Sequence, residues 1–152
     1  MLTLGLPLGN QAGGETQILQ TGDGEFNQML TFEASRSFSK GNSWVSALLA
    51  FNNRSNNFSD EFRYGLEIGH KFSNRLTVNA KLLSVNSLNN GSDSGVPSNG
   101  IFSNNIEYIS FSPEVAYEFN DKFGVSASVG TILDGQRVLA TPSYSAGIFM
   151  NL

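Results

Sequence analysis

Asp60-Glu61-Phe62-Arg63-Tyr64-Gly65-Leu66-Glu67-Ile68-Gly69-His70-Lys71-Phe72 alternates residue by residue between two incompatible surfaces. Phe62, Tyr64, Leu66, Ile68, His70 and Phe72 share one parity; Glu61, Arg63, Gly65, Glu67, Gly69 and Lys71 share the other. Successive side chains of a β-strand point to opposite faces, so an extended backbone here is apolar on one side and small or charged on the other. A helix would scatter both sets around its circumference.

The same pattern recurs on either side. Toward the N-terminus, Val45, Ala47, Leu49 and Phe51 oppose Ser46, Leu48, Ala50 and Asn52, which predicts a strand from Ser43 to Asn53. Leu30, Phe32, Ala34 and Phe38 oppose Thr31, Glu33, Ser35 and Ser37 over residues 26–38, and Leu2, Leu4, Leu6 and Leu8 oppose Thr3, Gly5, Pro7 and Gly9. Toward the C-terminus, Val78, Ala80 and Leu82 face away from Thr77, Asn79 and Lys81, with the parity blurring near Leu83. Ile109, Phe111, Val115, Tyr117 and Phe119 oppose Ser110, Ser112, Glu114, Ala116 and Glu118, and Pro113 predicts a bulge because it cannot donate to a ladder. Phe123, Val125, Ala127 and Val129 begin the seventh strand, residues 134–140 read as the last loop, and Tyr144, Ala146, Ile148, Met150 and Leu152 mark the eighth.

The connections run long, short, long, short, long, short, long. Gly41 and Asn42 supply positive φ to the first short turn. Outer-membrane barrels have short periplasmic turns and longer extracellular loops. The expected fold is therefore all-β: an antiparallel up-and-down transmembrane β-barrel with about eight strands in this chain, one domain over residues 1–152. Phe38, Trp44, Phe72, Phe119 and Phe123 flank the short turns, where an aromatic belt at the membrane interface belongs.

Composition points the same way. Charged residues are 14% of the chain against about a quarter in ordinary soluble domains, and the polar complement is mostly Ser, Asn, Thr and Gly. The net charge of -4 argues against nucleic acid as a partner. Cysteine is absent, which excludes disulfides and thiolate metal sites. No apolar run reaches the roughly 18 residues of a transmembrane helix, whereas transmembrane strands average their two faces to near-neutral hydropathy.

Alternation alone does not say which face is inside. A soluble barrel exposes its polar parity to water and makes it dense in Lys, Glu and Arg; here that parity is mainly Ser, Gly, Asn and Thr, with a few charges in mid-strand. The apolar parity is accordingly expected to face outer-membrane lipid, and a soluble ligand-binding barrel would require Phe62, Tyr64, Leu66 and Ile68 to point inward.

If Phe72 pairs with Leu76 across the turn at residues 73–75, the register sets Glu67 opposite Lys81. The expected pore-lining group is this pair, with Glu33, Arg63, Lys71, Glu114 and Glu118 around it, either selecting solutes or forming a structural charge network. His70, the sole histidine, lies on the apolar parity with no serine placed to use it, so neither a catalytic residue nor a cofactor is expected. Thr21-Gly22-Asp23-Gly24-Glu25 brings two carboxylates into a Gly-rich loop but lacks EF-hand spacing and reads as an ordered turn, not a metal site.

LTLGLPLG, LQTGDGEFNQ, FNNRSNNFSDEFRYGLEIG, FSPEVAYEFNDKFGVSAS and PSYSAGIFMNL resemble the C-terminal part of porin-like outer-membrane proteins of the "MetA-pathway of phenol degradation" type. The resemblance implies a passive channel for small solutes in the bacterial outer membrane and a barrel of about twelve strands, of which this chain, beginning without a signal peptide, would supply the last part. Tyr144, Ile148, Met150 and Leu152 resemble the C-terminal signal read by the barrel assembly machinery, with Leu in place of the usual terminal aromatic. The alternative is a non-conducting structural or adhesive barrel with a packed lumen.

Overall fold

The computed structural model describes residues 1–8, 22, 24–92 and 104–151. They form eight antiparallel up-and-down strands in one sheet, in sequence order: β1 (Leu2–Gly5), β2 (Asn27–Phe38), β3 (Ser43–Arg54), β4 (Glu61–Lys71), β5 (Leu76–Ser87), β6 (Glu107–Glu118), β7 (Phe123–Gln136) and β8 (Ser143–Met150). The expected closure does not occur: β1 and β8 stand at opposite edges of an open sheet, and among the described residues every strand pairs only with its sequence neighbours. β1 covers just Asn27–Leu30 of its neighbour, with Met1 paired to Thr31.

Three departures at element boundaries bear on the polar face or the edges. β1 stops at Gly5, because Pro7 has no donor and the Leu8 N–H turns back to the Leu6 carbonyl at 2.8 Å. β3 runs on to Arg54, which puts that side chain on the polar parity. β7 runs on to Gln136 and absorbs Asp134, leaving residues 137–142 as the last connection.

The bulge expected at Pro113 also lies elsewhere. Pro113 stays in register with Ala80 of β5 and interrupts only the ladder to β7, as its missing donor requires, while the register shift falls between Ile109 and Ser110 and leaves Leu133 as the extra residue. In the turn before β3 the left-handed residues are Ser39, Lys40 and Gly41, and Asn42 is right-handed.

The sheet has its faces inverted relative to a soluble domain. Phe32, Leu49, Leu66 and Ile68 are 66%, 52%, 47% and 54% exposed, while the opposite parity contains Thr31, Ala50, Asn52, Glu61 and Val85, all at 5% or less. Ala50 and Val85 are the only buried hydrophobic residues among those described. A flat sheet would expose both faces alike, so the asymmetry, with Lys71 of β4 reaching Glu118 of β6, shows a sheet curled around its polar face.

Candidate functional site on the polar face

Register builds the polar face as rows running across the strands. One row is Ser46–Glu67–Lys81–Ser112, and the next toward the long loops is Glu33–Leu48–Gly65–Leu83–Ser110. The row beyond that is Thr31–Ala50–Arg63–Val85–Tyr108, followed by Met29–Asn52–Glu61–Ser87. Charges from distant parts of the chain meet on these rows at three levels.

At the middle level the expected pair is present. Phe72 donates to the Leu76 carbonyl at 2.9 Å, Glu67 lies opposite Lys81, and the ammonium Nζ is 3.5 Å from Glu67 Oε2. The indole Nε1 of Trp44 donates to Glu67 Oε1 at 2.9 Å. Trp44 therefore belongs to the polar face and not to the outer belt. Its ring lies over Gly69 in space that any Cβ there would occupy, as the Phe149 ring lies over Gly124.

At the long-loop level a second, more enclosed network was not anticipated. Arg54 donates through Nε to Glu25 Oε2 at 2.6 Å and through Nη1 to Glu61 Oε1 at 2.8 Å, with its guanidinium 4.7 Å from the Phe58 ring centre. Arg63 Nη2 and Asn52 Nδ2 donate to Glu61 Oε2 at 2.5 and 3.3 Å. The Arg54, Glu25 and Glu61 side chains are only 5–6% exposed. Glu25, read from sequence as part of an ordered Gly-rich turn, is thus an arginine's partner; Thr21 and Asp23 of that stretch lie outside the described residues. The polar parity of Glu61 was the available signal, but ending β3 at Asn53 assigned Arg54 to a loop.

At the short-turn level Lys71 Nζ is 3.3 Å from Glu118 Oε1. The single cluster expected around Glu67 and Lys81 is consequently divided: Arg63 joins Glu61 above, Lys71 joins Glu118 below, and Glu114 sits opposite Asn79 and Ser128. Only Glu33 remains beside the central pair, across a shared cavity. On β8, Tyr144, Ile148 and Met150 share the exposed apolar parity at 79%, 84% and 55%; Leu152 lies outside the described residues.

The long-loop end is fixed by Asp60. Its Oδ1 accepts from the Arg54 N–H at 2.9 Å and Asn53 Nδ2 at 3.0 Å, and its Oδ2 accepts from Asn90 Nδ2 at 2.8 Å. The Asn90 amide, then the Arg54 N–H, hold the Asp60 carboxyl below its ordinary value. Close by, the fully buried Ser59 receives a hydrogen bond from Gly91 N–H and donates its own N–H to Asn104 Oδ1, both at 2.8 Å.

One correction concerns His70. Ser43 lies directly opposite it, and Ser43 Oγ is 2.7 Å from His70 Nδ1. The His70 ring also packs edge-to-face against Phe72, with ring centroids 4.5 Å apart. A nucleophile needs an oriented base and an oxyanion site as well as proximity, and the Ser43–His70 contact alone gives a cross-strand hydrogen bond. Comparison of the chain with protein-family models, curated proteins and solved structures returned no match.

Proposed function

We propose that this chain is a transmembrane β-barrel protein of the bacterial outer membrane, assembled by the barrel assembly machinery through β8, and that it acts as a porin-like channel for passive uptake of small solutes. One observation carries the reading: the apolar parity of the sheet is the exposed one and the polar parity is the enclosed one. In water this arrangement forgoes most of the hydrophobic stabilisation of folding. In a bilayer it is the favourable arrangement, because lipid meets Phe32, Leu49, Leu66 and Ile68 while the polar face lines an aqueous interior. A soluble ligand-binding barrel would need these side chains on the enclosed face.

Free strand edges cannot face hydrocarbon, since each unpaired N–H and C=O there costs several kcal/mol. The outer edges of β1 and β8 must accordingly be paired in the membrane-inserted protein. A second reading, a non-conducting barrel serving as a structural or adhesive protein, draws support from the long-loop end, where Arg54, Glu25 and Glu61 with Ala50 and Val85 fill the interior side of the sheet.

Single-channel conductance of the refolded protein in planar bilayers separates the two. The channel reading predicts stable current steps whose ion selectivity shifts in Glu67→Gln and Lys81→Gln. Insertion without conductance would overturn it in favour of the packed barrel.

A further inference from the structure

The central level of the polar face holds an unusual combination. Across the row Glu33–Leu48–Gly65–Leu83 two leucines flank a glycine, next to the row that carries the charged pair Glu67 and Lys81. The missing side chain at Gly65 leaves a recess, and a cavity of about 190 Å³ opens there, bordered by Leu48, Leu83, Glu33, Glu67 and Lys81. Its size is somewhat above the roughly 150 Å³ that accommodates benzene in an apolar protein cavity. The recess is therefore suited to a compact apolar body of about one ring or a short branched chain.

The polar wall of this recess has one-sided spare capacity. Both oxygens of Glu67 are engaged, one by the Trp44 indole at 2.9 Å and the other by Lys81 at 3.5 Å. Lys81 carries three donors, faces one oxygen of Glu67, and its side chain is 49% exposed. Glu33 stands at the opposite end of the row and repels an anion from that side. An incoming carboxylate thus meets Lys81 with its apolar body lying over Gly65 between the two leucines.

Resting on the reading of this face as the solute's path, we infer that the Gly65 recess is a binding subsite for small amphipathic monocarboxylates. Lys81 binds the carboxylate, Leu48 and Leu83 hold the apolar part, and Glu67 orients the Lys81 ammonium. The residue that sets the size limit is Gly65. A Cβ there would be 3.4 Å from the Leu82 carbonyl oxygen, 3.6 Å from Leu83 Cδ1 and 3.7 Å from Leu48 Cβ, all ordinary contacts, so Gly65→Ala is tolerated by the sheet while it shortens the recess.

Trp44 is the only tryptophan, and its hydrogen bond to Glu67 makes its emission a reporter of this subsite that needs no conduction. The refolded full chain in detergent is titrated with cyclohexanecarboxylate, acetate and cyclohexylammonium. A saturable change in Trp44 emission is expected with cyclohexanecarboxylate at concentrations where the other two have no effect. Lys81→Gln should weaken it by about tenfold or more, as loss of a charge-assisted hydrogen bond does. Gly65→Ala should weaken it roughly threefold with an unchanged far-ultraviolet dichroism spectrum, through overpacking of the recess, and Gly65→Leu should abolish it. Absence of a saturable change, indifference to Lys81→Gln and Gly65→Ala, or preference for cyclohexylammonium would overturn the subsite. Binding without conductance would keep the subsite and remove the channel, and conductance without binding would do the reverse.

Discussion

Two ion pairs on the same face, built from the same chemistry, occupy opposite environments. Arg54 and Glu61 meet at 2.8 Å with side chains 6% exposed, fastened further by Glu25, Asn52 and Arg63, whereas Lys81 and Glu67 meet at 3.5 Å with side chains 49% and 30% exposed. The difference teaches where rigidity and where responsiveness reside. A buried pair is costly to break because removal of one partner leaves a desolvated charge behind, so the long-loop end is a fixed structural network. A half-exposed pair contributes little to stability, and its charges remain available to a solute.

The largest expected effect tests the first half of that comparison. Arg54→Ala removes the guanidinium that bridges Glu25 and Glu61 and should destabilise the fold by about 3 to 5 kcal/mol, read as a lowered midpoint of urea unfolding in detergent. An effect below 1 kcal/mol would place this network in the same class as the central pair.

Next in size is a contrast between two glycines of β4. Gly69→Ala puts a Cβ where the Trp44 ring lies and should cost about 1 to 3 kcal/mol while shifting Trp44 emission. Gly65→Ala meets only ordinary contacts and should leave both stability and the emission of the unliganded protein close to those of the parent chain. Equal effects at both positions would contradict the placement of Trp44 on the polar face.

The pair at Glu67 and Lys81 should show the smaller stability effect. Glu67→Gln is expected to shift unfolding by less than about 1 kcal/mol, even though it alters ion selectivity if the face conducts.

The smallest effect is pH-dependent and local. The Asp60 carboxyl is held below its ordinary value of 3.8, so its contribution is fully present above that value and is lost as pH falls through the lowered folded-state value. Amide exchange at Arg54, whose N–H it accepts, should accelerate over that acid range in the parent chain and show no such step in Asp60→Asn. A step at the unshifted value would contradict the hydrogen-bonded arrangement with Asn90.

What could be read from the residues alone divides along the range of the interaction. Alternation and the tight turn at residues 73–75 are local, and they sufficed to set Glu67 opposite Lys81. The Glu25–Arg54 contact spans 29 residues, including connecting sequence without period, so no local pattern announces it. The parity of Trp44 was legible from its neighbours Val45 and Ser46, but a general preference of aromatics for interfaces masked it. Pro113 was correctly seen to lack a donor; that loss falls on one ladder only and needs no extra residue, whereas the bulge at Leu133 leaves no compositional trace. Closure was expected from the repeated alternation and the long–short order of connections, and neither pattern specifies a partner for the outer edges of β1 and β8.

In the proposed orientation Leu66 and Glu67, adjacent in sequence, face lipid and an aqueous interior respectively. The chain has no cysteine, so Leu66→Cys and Glu67→Cys can each be labelled with a bimane fluorophore and inserted into liposomes. Brominated acyl chains are expected to quench the label at position 66, and aqueous iodide the label at position 67. The reverse pattern, or equal access of iodide to both positions, would contradict that orientation.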